Sequence, residues 1–118
     1  MKKFFHSFSF AAQGVVSLIK NERNAKVHVL AAAISIYFGF WFQISKMEWS
    51  LVILCIAGVM GAEAFNTSIE ALSNALHPEQ HPKIKLVKDL AAGAVLIVSF
   101  GALLIGVLIF LPHIFFYF

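Results

Sequence analysis

The sequence predicts an all-α membrane protein, with three transmembrane helices preceded by an amphipathic helix at the membrane interface. Three observations predict it: an apolar surplus, three long apolar segments, and a lopsided placement of basic residues. Of 118 residues, 60% are hydrophobic and 13% charged, and the mean hydropathy is +0.85. Soluble proteins average about half apolar and about a quarter charged, and a body this small has too little interior to hide the difference. One domain is expected, with room for about three crossings of a ~30 Å hydrocarbon layer.

The elements follow in chain order. Residues 1–26 mix phenylalanines with polar side chains: Phe4, Phe5, Phe8, Val15, Val16 and Ile19 contribute to an apolar face, and Lys2, Lys3, Ser7, Gln13, Lys20 and Arg23 to the polar remainder. That is the pattern of an interfacial helix, without the long apolar core of a signal peptide. Segment 27–44 has His28 as its only ionisable side chain and reads as the first span. Ser45-Lys46-Met47-Glu48 makes a tight connection to a second span over 49–76, which begins apolar and then carries acids without meeting a proline. Residues 77–85, HPEQHPKIK, hold two prolines and read as a loop. Segment 90–111 is uncharged throughout and long enough to cross with some tilt.

Charge sets the orientation. Five of nine Lys/Arg residues precede the first span and three precede the third, leaving Lys46 alone in the opposite loop. The positive-inside bias therefore puts the N-terminus and the loop after residue 76 in the cytoplasm, with Trp41, Trp49 and the terminal FFYF near the outer interface. A net charge of +3 could suggest nucleic acid, but the basic residues are split between two membrane-proximal segments and no reader module is present. The single cysteine, Cys55, excludes an intramolecular disulfide and a cysteine zinc site.

The informative stretch is Glu63-Ala64-Phe65-Asn66-Thr67-Ser68-Ile69-Glu70. An acid at the centre of a span costs about 2.5 to 3.5 kcal/mol on insertion scales, so an intramembrane acid is a functional-site candidate. At ~100° per residue, Asn66, Glu70 and Asn74 fall within ~60° of Glu63, making one stripe. Glu63 and Glu70 are ~10 Å apart along the axis, too far to share a proton but suited to two tasks, one holding metal and one accepting a proton. The alternative is a helix emerging into water, with the stripe as its solvated face. Glu22-Arg23-Asn24 before the first span and Lys88-Asp89 before the third reach the same leaflet. Together these are the parts phosphoryl transfer needs: oxygen ligands for Mg²⁺, a cation on phosphate and a base for an acceptor hydroxyl. No P-loop, protein-kinase signature, HExxH or nucleophile elbow is present.

The motifs Phe8-x-x-Ala11-x-x-Gly14, Glu22-Arg23-Asn24-x-x-x-His28, Glu63-x-x-Asn66-Thr67-x-x-Glu70 and Lys88-Asp89-x-Ala91-Ala92-Gly93-Ala94-Val95 span nearly the whole chain. In them the sequence resembles the small prokaryotic diacylglycerol kinases and undecaprenol kinases, integral-membrane enzymes unrelated to soluble kinases. The resemblance implies a homotrimer with active sites between subunits, ATP as phosphate donor, Mg²⁺ as cofactor and a membrane lipid alcohol as acceptor. It implies Glu63 as the catalytic base, Asn66 as an orienting group, and Glu22 and Glu70 as Mg²⁺ ligands in the nucleotide site. Lys88 would neutralise phosphate, with Asp89 nearby, while Glu79 and His81 would lie against the nucleoside. Lys3 and Phe10 stand where the family has a basic residue and an aromatic near ATP.

One departure is Asn74, where many members have Asp; this lowers local negative charge and makes a second metal less secure. His28 reads as a hydrogen-bonded or headgroup-facing residue rather than a ligand. Gly58, Gly61 and Ala91-Ala92-Gly93-Ala94 read as small-residue surfaces for helix packing. The segment around Glu22 looks more like undecaprenol kinases than diacylglycerol kinases, which favours undecaprenol as acceptor and keeps diacylglycerol as the alternative. A non-enzymatic channel or accessory subunit, its acidic stripe lining a water path, is the competing class.

Overall fold

A computed structural model describes all of residues 1–118. The chain is four helices and no strand: α1 Lys2–Asn21, α2 Arg23–Trp41, α3 Lys46–Leu76 and α4 Pro82–Tyr117. They form a slab of 53 × 42 × 21 Å in which α3 is the central element, packed along α4 and touched by α2 and α1. Helices α3 and α4 are each long and apolar enough to cross a membrane. At 1.5 Å per residue the 31 residues of α3 extend about 46 Å, well beyond a ~30 Å hydrocarbon layer.

Burial is inverted relative to a soluble domain. Only 12 residues are buried, and Glu63, Asn66 and Ser73 are among them, while Phe65, Leu96, Ile97, Leu108 and Phe115 are largely exposed. Water would penalise such an exterior, whereas lipid demands it and instead penalises polar groups left facing outward. The apolar core is small: Phe42, Ile44, Val52 and Ile109, with Trp49, Ile56 and Phe110 packed against it, tie α3 and α4 to the α2–α3 turn.

That turn is built with unusual care. Gln43 takes φ 52°, the left-handed conformation that reverses the chain in two residues. Ser45 then caps α3, its hydroxyl accepting from Glu48 N–H at 3.1 Å while the Glu48 carboxylate accepts from Ser45 N–H at 2.9 Å. The other carboxylate oxygen of Glu48 lies 3.3 Å from His113 Nε2 on α4, so one side chain both starts α3 and fastens it to α4. Beneath it the Trp49 ring lies on Gly39, where a Cβ would come within 2.6 Å of a ring carbon.

Helix bounds depart from the sequence expectation at the α1–α2 and α3–α4 junctions. The chain breaks at Glu22, extended at φ −100° and ψ 120°, so the expected helix over 1–26 divides and α2 begins at Arg23. Helix α4 begins at Pro82, although a loop was expected through Lys85. Proline is disruptive inside a helix but pre-organised at its first position, where its missing N–H costs nothing. His81 completes the start by accepting from Lys83 N–H at 3.1 Å. Of the expected small-residue surfaces, Gly58 meets α4 at Val98 in ordinary contact, while Gly61 and Gly93 face open space within the single chain.

Replacing Glu48 by Ala removes half the capping box and the link to His113. A loss of about 1–2 kcal/mol is expected, read as a lower unfolding midpoint in detergent. Activity measured well below that midpoint stays near normal, because Glu48 lies about 22 Å along α3 from Glu63.

Candidate active site

The site is assembled from the α1–α2 break and the C-terminal half of α3. Because Glu22 is not helical, it forms the corner between two helices and its side chain is half-buried there. One turn and a half into α2, His28 reaches α3, with Nε2 3.7 Å from Glu63 Oε2. Glu63 is 1% exposed and Asn66, one turn on, is 6% exposed. Glu63 lies within electrostatic reach of His28, Glu22 and Glu70. The stripe predicted by helical periodicity is therefore an inward-facing one at Glu63 and Asn66.

Its polar atoms are under-satisfied. Glu63 Oε2, Asn66 Oδ1 and Thr67 Oγ1 are buried with no hydrogen-bond partner in the chain. Buried polar groups are normally paired, and leaving one unpaired costs on the order of 1–3 kcal/mol. Three of the chain's four such orphans, Ser99 Oγ on α4 being the fourth, fall within five consecutive positions, which marks that stretch as a candidate place for other atoms to bind. All are oxygens, the donor type hard cations and transferring phosphates interact with. No three His, Cys, Asp or Glu side chains are gathered closely enough to cage a metal by themselves.

A second group lies further toward the chain's loop end. Glu79, Gln80, His81, Lys85 and Lys88 line a polar cavity of about 510 Å³ formed by the α3–α4 loop and the first turns of α4. His77 is held by the Glu79 carbonyl at 2.9 Å and stacks edge-on against His81, giving the loop a defined shape. Lys88 donates from Nζ to Asn74 Oδ1, bridging α4 to α3. Asp89 is paired with Lys85 at 2.6 Å, both side chains largely exposed. Lys3 and Phe10 are exposed on α1 and line neither this cavity nor the carboxylate cluster.

Thus Glu22, Glu63, Asn66 and Glu70 come together, and so do Glu79, His81 and Lys88, while Lys3 and Phe10 join neither group. Sequence reasoning missed the pairing of His28 with Glu63, the orphaned Thr67 hydroxyl, Lys85 on the cavity wall and the bond from Asn74 to Lys88. The signal for His28 was present: an ionisable residue one turn inside an apolar helix needs a partner, and Glu63 is the acid at the matching depth.

A family model for prokaryotic diacylglycerol kinase matches residues 9–110. The chain belongs to that family. Undecaprenol kinase of Bacillus subtilis is 38% identical over 112 residues, covering 95% of this chain and 91% of that protein. Diacylglycerol kinase of Synechocystis is 28% identical over 107 residues, 90% of this chain and 61% of that protein. Diacylglycerol kinase of Pseudomonas aeruginosa is 24% identical over 112 residues, covering 90% of this chain and 91% of that protein. The chain is accordingly a membrane lipid kinase, a phosphotransferase of a family that uses ATP, and the channel alternative falls away.

The contact between His28 and Glu63 can be tested by a double-mutant cycle. His28→Ala leaves a buried carboxylate facing nothing and should lower stability by about 1–3 kcal/mol. Glu63→Gln alone should cost less, and combining the two should recover most of the His28→Ala loss in thermal unfolding. Strict additivity would mean that the two side chains do not interact.

Proposed function

We propose that this enzyme transfers the γ-phosphate of ATP to the hydroxyl of a membrane polyprenol, undecaprenol being the favoured acceptor, at a site formed around Glu63. The observation that carries this is a nearly fully buried carboxylate with an unpaired oxygen, facing His28 and surrounded by further oxygen ligands. The 38% identity to an undecaprenol kinase supports the polyprenol over diacylglycerol. Diacylglycerol stays the second reading because relatives named as diacylglycerol kinases match the same length of chain.

In this reading Glu63 accepts the proton of the lipid hydroxyl as its oxygen bonds to the γ-phosphorus, and the bond from that phosphorus to the bridging oxygen breaks to release ADP. Burial keeps water from competing as the nucleophile and leaves the carboxylate weakly solvated. Asn66 orients the acceptor through its free amide oxygen, and His28 holds Glu63 in place. Lys88 faces the phosphates from a level about 16 Å along α3 from Glu63, by the spacing of its partner Asn74. The loop cavity takes the nucleoside, Glu79 and His81 lying against it and Asp89 beside Lys88.

Glu22 and Glu70 are the residues that would hold Mg²⁺. The ion suits a site with one or two protein carboxylates, taking its other ligands from phosphate and water. When bound it supplies charge neutralisation to the phosphates. Lys3 and Phe10 would reach the nucleotide only from a neighbouring subunit or after α1 moves, which fits the homotrimer that the family resemblance implies. Three crossings, by α2, α3 and α4, with α1 on the cytoplasmic interface of a bacterial inner membrane, agree with the charge asymmetry.

Purified enzyme given ATP, Mg²⁺ and either undecaprenol or diacylglycerol, with the label followed into lipid, tests the acceptor directly. Turnover of diacylglycerol alone would overturn the polyprenol assignment. Glu63→Gln should lower turnover by about 10²–10⁴-fold while ATP binding and folding persist; normal turnover would remove Glu63 as the base. Asn74→Asp puts a carboxylate against Lys88 and so competes with phosphate. The KM for ATP should rise several-fold at low ionic strength and less at high, with a smaller effect on kcat. An unchanged KM at every ionic strength would show that Lys88 does not face phosphate.

A further inference from the structure

Each cycle of the proposed reaction leaves a proton behind. The lipid hydroxyl gives it to Glu63 as the lipid oxygen bonds to the γ-phosphorus, and ADP departs with the electron pair of the broken bond. Glu63 must lose that proton before it can act again. Its surroundings make this difficult: the side chain is only 2% exposed, and it stands about 20 Å along α3 from the end of that helix at Leu76.

Few groups can take the proton. The ionisable side chains within electrostatic reach of Glu63 are His28, Glu22 and Glu70. Asn66 and Thr67, its polar neighbours on α3, are neutral groups that do not titrate. Glu22 and Glu70 are carboxylates like Glu63 and offer no gain in basicity, and in the proposed reading they hold Mg²⁺, which requires them ionised. Arg23 and Lys26, on the same helix as His28, are exposed cations with no lone pair to receive it.

His28 remains. Its Nε2 lies 3.7 Å from Glu63 Oε2, the same oxygen that has no hydrogen-bond partner. That is longer than a hydrogen bond, and catalytic pairs are often long before substrate arrives and tighten in the complex. The imidazole is 20% exposed where the carboxylate is 2% exposed, and it stands about 7.5 Å along α2 from the first residue of that helix, next to the Glu22 corner. Holding Glu63 needs only a donor, which an amide supplies. Passing a proton on needs a group that gains and loses one near neutral pH, and imidazole is that group.

We propose that His28 relays the proton from Glu63 to water and so resets the base after each phosphoryl transfer. The inference rests on the reading of Glu63 as the base. The Nε2 lone pair takes the proton from the Glu63 carboxyl while Nδ1 keeps its own, and the imidazolium releases it to water at the α1–α2 corner. One proton enters with each lipid alcohol and one leaves to water, so the pair ends every cycle as it began.

His28→Gln separates relaying from holding, because the amide donates to the carboxylate and does not titrate. The full-length enzyme is loaded with lipid alcohol in micelles at mildly alkaline pH, so that Glu63 starts without a proton, and is mixed with ATP and Mg²⁺ by rapid quench. The first phosphorylation needs no proton export, and every later one does. In His28→Gln the first turnover should match that of the unmodified enzyme, with a burst equal to the number of active sites. Later turnovers should be slower by about tenfold or more. A normal first turnover also shows that the variant is folded. A first turnover slowed as much as the later ones would leave His28 as a positioning residue only, and an unchanged steady rate would mean that the proton leaves with the phosphorylated product. Either result overturns the relay.

Glu63→Gln run beside it keeps the two readings apart. Loss of the burst there upholds Glu63 as the base whatever His28→Gln shows, whereas a full burst sinks the base and the relay with it. Imidazole added to His28→Ala should speed the later turnovers, and pyrrole, a ring of the same size without a basic nitrogen, should not. Equal acceleration by both rings would assign His28 a space-filling role and overturn the proposal.

Discussion

Keeping a carboxylate inside an apolar body is the constraint on which the rest of this structure depends. Glu63 is the largest fully buried side chain in a chain whose exterior is leucine, isoleucine and phenylalanine. An unassisted charge there would be strongly disfavoured, and a substitution to an apolar residue would be an easy gain in stability. The fold instead surrounds it: α1 stops at Asn21 so that Glu22 can turn the corner, α2 starts early enough to bring His28 across, and α3 adds Asn66 on the same face. Each of these choices is poor for packing in lipid and useful only if polar ligands arrive.

Helix α3 converts that constraint into a division of labour along its length. Its first turn is over-determined by the capping box, the Glu48–His113 contact and the Trp49 ring on Gly39. Val52, Cys55, Ile56 and Val59 in its first half line an apolar cavity, the unpaired oxygens of Glu63, Asn66 and Thr67 begin just past its midpoint, and Asn74 near its end holds Lys88. Rigidity is concentrated at the first turn and unsatisfied polarity in the second half. A helix about 46 Å long has room for both.

Most of this architecture was legible in the sequence because two simple periodicities carry it. Apolar runs mark α3 and α4, and the 3.6-residue repeat aligns Glu63 with Asn66 and Glu70 before any coordinate is seen. What escaped is what periodicity does not encode. The break at Glu22 leaves no proline or glycine behind, so the polar run around it reads equally well as continuous helix. Pro82 reads as a breaker or a starter depending on whether the residues after it are helical, and only the three-dimensional start of α4 decides. Contacts between helices, such as His28 with Glu63 or Asn74 with Lys88, need the relative rotation of two helices, which the pattern along one helix does not contain. Asn74 looked like a lost charge; in the folded chain it is a neutral acceptor that holds a lysine without cancelling it.

That neutral acceptor completes a gradient. Around Glu63 stand His28 and, within electrostatic reach, Glu22 and Glu70, whereas around the loop cavity Lys85 and Lys88 stand with Glu79, and Lys85 already has Asp89 as its partner. In the proposed reading, a triphosphate meets the lysines of the loop cavity first and the carboxylates at its far end. A divalent cation held by Glu22 and Glu70 would then offset the repulsion between those carboxylates and phosphate. On the other side, His28 borders Glu63 and also lines an apolar cavity whose remaining lining carries no charged side chain. In the proposed reading a lipid alcohol and a nucleotide would therefore come to Glu63 from different sides.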